Sequence, residues 1–169
     1  MYHPKPDALE AFMSHGMATF SLDMQQNVSG FIKVDPWLSY QGGKPDADEV
    51  HGTASIFKHI ATGAAKILGF ESGSLVINPE YQNQGLGGTL KDQMAQFTVK
   101  QFPGIPLFSV VSDTNYANIH LNNKMKWPKI TPVEAQKLTG IDFATVDDWD
   151  PTMPVSIFIY PPSIAGHQY

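Results

Sequence analysis

A mixed α/β fold built on one central sheet is predicted by three observations on this 169-residue chain. Apolar runs bounded by turn residues alternate with segments whose apolar residues recur at helical spacing. One such run, at residues 70–78, passes through Pro79 into a glycine-rich loop that opens a helix. Strands stand both before and after two strand–helix units, which places parallel and antiparallel pairs in the same sheet. The length suits a single domain over residues 1–169 with a substantial core.

The elements follow in order. Residues 7–14 read as a helix, with Asp7 as cap, Glu10 three places on as in a capping box, and Gly16 as stop. Residues 18–23 and 28–34 read as strands around a turn at 24–27. Thr19, Ser21 and Asp23 alternate there with Ala18, Phe20 and Leu22, the period of a half-buried strand. Residues 35–49, rich in proline, glycine and acid, read as a loop. Phe57, Ile60, Ala61, Ala64, Ile67 and Leu68 share one helical face, so residues 54–68 read as a helix, with a strand as the alternative over 56–60. Residues 70–78 are a strand. Residues 88–101 form a helix that turns Leu90, Met94 and Phe97, with Leu86 before them, to the sheet. Residues 106–112 are a buried strand and 115–124 a short helix. Thr131 caps a further helix with Pro132 in its first turn and Gly140 near its end. Residues 155–160 make a last strand, stopped by Pro161 and Pro162.

Composition narrows the function. The net charge is −5 and all 11 basic residues are lysine, so no guanidinium is present to grip guanine or phosphate, and nucleic acid is disfavoured as a partner. With no cysteine there is no disulfide, thiolate metal site or cysteine nucleophile. The six histidines lack metal-ligand spacing, and no metal is expected. No run approaches the roughly eighteen apolar residues of a membrane span, and residues 1–6 have no signal-peptide core, so the cytoplasm is the default compartment.

The loop Gln82-Asn83-Gln84-Gly85-Leu86-Gly87-Gly88 follows strand residues Leu75, Val76 and Ile77. It presents several backbone N–H groups to one point, at the positive end of a helix dipole, which suits a pyrophosphate. A dinucleotide motif would need glycine at position 90, where Leu90 stands, and a Walker loop would need a closing Gly-Lys-Ser/Thr. The plain alternative is an ordinary glycine turn between strand and helix. Downstream, Asn115, Ile119, Leu121, Lys124 and Trp127 follow the next strand at fixed intervals.

Together these two segments resemble the acyl-CoA-binding signatures of the GNAT superfamily of N-acetyltransferases. The resemblance covers residues 28–127, and its core motifs lie at 70–127. It implies a splayed mixed sheet flanked by helices, whose motif strand and next strand run parallel and then part. The parting would leave backbone groups of Leu75, Val76 and Ile77 to the pantetheine arm of acetyl-CoA, taken up as an added strand would be. Amides from Gln82 to Gly88 would hold the pyrophosphate, with Gly85 and Gly87 allowing positive φ and close approach. Asn115 would be a CoA contact. Relatives carry an arginine in the loop. Gln82 and Gln84 stand there, which leaves the amides, the dipole and Lys91 or Lys124 to bind the phosphates.

The resemblance implies attack of a primary amine on the thioester in a ternary complex. Glu71 lies eleven residues before Gln82, at the family's general-base position. Its plain alternative is a solvated glutamate at a strand end. The oxyanion would take a backbone N–H near Val76 or Ile77. The family's tyrosine, which protonates the leaving thiolate, aligns with Asn122, and Asn cannot donate a proton. Tyr116 and His120 are the nearby substitutes. That departure keeps a second function class open, a non-catalytic acyl-CoA-binding regulatory or interaction module. The chain is short of the family's usual first strand and helix pair, which leaves room for completion by a partner chain, a homodimer included.

Overall fold

The computed structural model describes residues 17–40, 62–141 and 154–161. The readings of a helix at 7–14 and of residues 41–61 lie outside them. The described residues form six strands: β1 (Met17–Leu22), β2 (Val28–Tyr40), β3 (Ala65–Ile77), β4 (Leu107–Ser112), β5 (Lys129–Ile130) and β6 (Val155–Ile159). Three helices accompany them: α1 (Leu86–Gln101), α2 (Tyr116–Lys124) and α3 (Pro132–Thr139). The strands make one sheet in the order β1-β2-β3-β4-β6-β5. β2 runs antiparallel to both β1 and β3, β3 and β4 are parallel, and β6 runs antiparallel to both β4 and β5. This is the splayed, mixed sheet flanked by helices that the resemblance implies. None of the described helices is long and apolar enough to cross a membrane.

β4 is apolar on both faces because helices cover both. Leu107 and Val111 pack with Phe70, Leu90, Met94 and Trp127 under α1 and α2. Phe108 packs with Ala135, Ile141 and Ile157 on the side of α3. α3 begins as its sequence requires. Thr131 Oγ1 accepts the Glu134 N–H, Glu134 Oε2 accepts the Thr131 N–H, and Gly140 closes the helix at φ 72°.

Two readings of the first half are corrected. Residues 65–68 are strand, not helix. Gly63, at φ 76°, stands just ahead of them, and Ala65, Lys66 and Ile67 pair with Tyr40, Ser39 and Leu38. Ile67 and Leu68 fit either period, and the partner strand decides between them. Residues 35–40, read as loop, extend β2. Pro36 pairs with Phe70 of β3, and among the described residues the β1–β2 register ends at Met17↔Val34, short of it. The two-residue strand β5 carried no sequence signal.

Candidate functional site

β3 and β4 pair at two positions only, Phe70↔Leu107 and Glu71↔Phe108. Beyond them β3 runs on along β2 to Ile77, and β4 turns to β6. The fork so formed has a local cause. Between Phe31↔Val76 and Lys33↔Gly73 the register shifts, with one extra residue on β3, and Ser74 sits there at φ 48°. Such a bulge bends its strand and interrupts the ladder. It also changes the side-chain phase. Glu71 lies on the face with Trp37 and Phe108, whereas Leu75 and Ile77 point to α1. The sequence reading missed this bulge, although a Gly-Ser pair inside a strand pattern is its usual sign.

The backbone of the fork can be assigned. The Asn78 N–H donates to the Ser29 carbonyl at 2.9 Å, and the register continues through Gly30↔Ile77 to Phe31↔Val76. The antiparallel alternation therefore turns the Val76 N–H and C=O toward β2 and those of Ile77 toward the fork. The Ile77 carbonyl accepts Gln82 Nε2 at 3.1 Å. Of the three strand residues named for the pantetheine, Val76 is thereby turned away from the open side, and Ile77 presents its N–H to it. The Val76 side chain is exposed on the Glu71 face.

The loop is held by its own side chains. Asn78 Oδ1 accepts the Glu80 N–H at the head of a 3-10 turn (Pro79–Tyr81). Gln84 Nε2 donates to the Glu80 carbonyl at 3.0 Å. The Tyr81 hydroxyl donates to Asp23 Oδ2 at 2.8 Å, tying the loop to the β1–β2 turn. α1 starts at Leu86, two residues earlier than the reading from residue 88. Its cap is Gly85 at φ 81°, with no side-chain cap hydrogen bond, and the first intrahelical donor is Thr89 N–H to the Gly85 carbonyl. The amides of Leu86, Gly87 and Gly88 thus have no acceptor within the helix. The left-handed residues of the loop are Asn83 (φ 59°) and Gly85, and Gly87 is helical. A Cβ at Gly87 would make ordinary contacts, 3.4 Å to Leu75 Cδ2 and 3.7 Å to Ile77 Cγ1, so only a side chain larger than alanine's would crowd β3.

Beside this helix start lies a cleft of about 510 Å³, lined among others by Gly85, Gly88, Leu121, Lys124, Trp127 and Tyr160. Lys124 therefore stands by the cradle. Lys91 does not, which corrects its reading as a phosphate ligand: it is 2% exposed and points into the core. Asn115 caps α2, its Oδ1 accepting the Asn118 N–H at 3.2 Å. Asn122 is fully buried, with Nδ2 on Asn118 Oδ1 at 3.3 Å and Oδ1 without a partner. Tyr116 is 76% exposed and does not approach it.

Glu71 lies at the last rung of the β3–β4 pair. Its Oε2 accepts the Trp37 indole N–H at 3.0 Å, and Trp37 is fixed edge-on against Phe108 at 5.2 Å. Burial raises the Glu71 carboxyl above its ordinary value. The Trp37 bond opposes that shift, Asp35 adds to it, and Lys33, paired with Asp35 at 2.7 Å, opposes it. A carboxylate whose proton affinity is raised by burial, at the head of a forked sheet, is suited to accept a proton.

No family model matches the chain, and no curated protein matches it in sequence. Among solved structures, Arabidopsis thaliana NAA60 in complex with acetyl-CoA aligns over 82% of this chain and 68% of its own, at 13% identity and a TM-score of 0.45. The same Arabidopsis protein in complex with a bisubstrate analogue aligns over 85% and 73%, at 12% identity and a TM-score of 0.47.

Proposed function

We propose that this chain is an N-acyltransferase that moves an acetyl group from acetyl-CoA to a primary amine within a ternary complex. The observation that carries the reading is the fork itself: β3 and β4 part after Glu71↔Phe108, directly beside an uncapped helix start. An extended pantetheine would lie in the fork and take the Ile77 N–H. The amides of Leu86, Gly87 and Gly88 would receive the pyrophosphate, since they converge at the positive end of α1. Lys124 would add a charge at the cleft. Gln82 and Gln84 would act by shaping the loop through their bonds to Ile77 and Glu80.

Glu71 would accept the amine's proton from the face opposite α1, directly or through a water. The amine would attack the carbonyl carbon, the oxyanion would be held by a fork-facing backbone N–H of β3, and the C–S bond would break to release CoA as thiolate. A partly buried carboxylate of raised proton affinity contributes roughly 10²–10⁴ in rate in such a role.

The test is a melt with acetyl-CoA followed by an assay of thiol release over a panel of primary amines. Acetyl-CoA at 100 times its Kd should stabilise the protein by about 2.7 kcal/mol. Thiol release that depends on both the amine and Glu71 supports catalysis. One observation favours the second reading, an acyl-CoA-binding module without turnover: Asn122 is buried and carries no transferable proton. Binding without thiol release would favour it.

A further inference from the structure

We propose that Lys91, through the Ser109 hydroxyl, supplies the proton that the departing CoA thiolate takes up. The inference rests on the acyl-transfer reading above and names a group that reading leaves unassigned. Ser109 is the first β4 residue past the last β3–β4 rung, so it stands at the apex of the fork. Lys91 Nζ donates to Ser109 Oγ at 3.2 Å and to Asn118 Oδ1 at 3.3 Å, and lies 4.7 Å from the centre of the Trp127 ring. Glu71 occupies the rung immediately before the apex, on the opposite face of the sheet. The fork is therefore flanked by a carboxyl on one face and an amine on the other, at adjacent levels of the two strands.

The surroundings of Lys91 make it a usable donor. Its bonded partners are two neutral side chains, and desolvation lowers its pKa from 10.5 to about 7. The charged and titratable groups on the elements packed against it are Asp92 and Lys100 on α1, Tyr116, His120 and Lys124 on α2, and Tyr160 after β6. None of them figures in its shift. A buried ammonium that costs this much would serve no packing purpose that methionine could not serve better. An acid whose pKa lies near the working pH transfers its proton readily and regains it from solvent.

The step balances. As the C–S bond breaks, its electron pair stays on sulfur. The Ser109 hydroxyl proton passes to that sulfur and an Nζ proton passes to Ser109 Oγ, which leaves CoA as the thiol and Lys91 as the neutral amine. Glu71 carries the proton taken from the acceptor amine, and once CoA has left the fork solvent entering it returns both groups to their starting states, Lys91 by way of the Ser109 hydroxyl.

The experiment compares Lys91→Met with the wild type, using hydroxylamine as acceptor and two acetyl donors: acetyl-CoA, and an acetyl nitrothiophenyl thioester whose leaving group needs no proton. With acetyl-CoA, the wild-type kcat should fall as pH rises past about 7, and Lys91→Met should lower kcat roughly 10²-fold and lose that limb. The activated thioester should turn over at nearly equal rates in the two proteins. The acetyl-CoA thermal shift should persist in the variant. Equal losses with both donors, or no loss with either, overturn the proposal. Should Lys91→Met fail to fold, Ser109→Ala carries the same comparison. A wild type that binds acetyl-CoA without releasing thiol refutes the acyl-transfer reading, and this proposal with it. An active wild type with an unaltered Lys91→Met refutes this proposal alone.

Discussion

Trp37 donates its indole N–H to the Glu71 carboxylate across the β2–β3 pair at 3.0 Å, diagonally beside the Asp35↔Glu71 rung. The bond joins the end of β2, which read as loop from its proline, to the carboxyl at the last β3–β4 rung. It favours the charged form of a group that burial pushes toward the neutral one.

Glu71 should therefore show itself in stability as well as in rate. The folded protein holds the Glu71 proton more tightly than the unfolded chain does, so this group's contribution is most favourable below about 4.5 and is lost as pH rises through the folded value. Glu71→Gln should melt higher than wild type at pH 7, and the gap should close as the pH is lowered past that window. Trp37→Phe removes the bond that favours the carboxylate, so it should move the acidic limb of the pH–rate profile upward. Melting curves from pH 4 to 8 and initial rates over the same range check both.

Lys91 gives the opposite sign on the other side of neutrality. The unfolded chain binds its proton up to about 10.5, and the folded chain only to about 7. Stability should rise with pH across that window, with the full cost, on the order of a few kcal/mol, present below it. Lys91→Met should be more stable than wild type at pH 6, and its melting temperature should lack the rise. A parallel pH dependence in both proteins would contradict the burial of that amine.

The bulge at Ser74 should matter to the fork more than to the core. Deleting Ser74 removes the residue at φ 48° and leaves Leu75 and Ile77 on the α1 face, now paired with β2 without a register shift. The fold should survive, while the bend that helps to part β3 from β4 is lost, so the thermal shift with acetyl-CoA should fall. A variant that keeps the full wild-type shift would contradict the bulge as the cause of the fork.

Gly85 and Gly87 should fail differently. Gly85 has open space around its missing Cβ and φ 81°, so Gly85→Ala costs about 1–2 kcal/mol through backbone strain alone. Gly87→Val meets Leu75 and Ile77, so its cost, about 1–3 kcal/mol, is overpacking. It should also push the first turn of α1 off β3 and reduce the thermal shift with acetyl-CoA. Melts of both variants with and without acetyl-CoA separate the two effects.

Much of this was legible in the sequence where a local rule governs. Thr131 as cap, Pro132 in the first turn and Gly140 near the end marked α3. The apolar run of β4 announced a strand covered on both faces. The loop after Pro79 lay where its glycines put it, although α1 begins before Gly88 because Gly87 and Gly88 are helical. What stayed hidden depends on partners distant in sequence. Residues 65–68 took their conformation from β2, and Asp35 and Pro36 took theirs from β3. Lys91 lay at a core position of an amphipathic pattern, and its polar neighbours Ser109 and Asn118 come from two other elements. Nothing near Glu71 in sequence pointed to Trp37.

The central claim is that the fork and the start of α1 form one acyl-CoA cradle. Backbone amide NMR during titration with acetyl-CoA tests it most directly. The account predicts the largest shifts at Ile77, Leu86, Gly87 and Gly88, saturating together with a single Kd. Unmoved amides at these four positions, with acetyl-CoA shifting residues elsewhere or none at all, would contradict it.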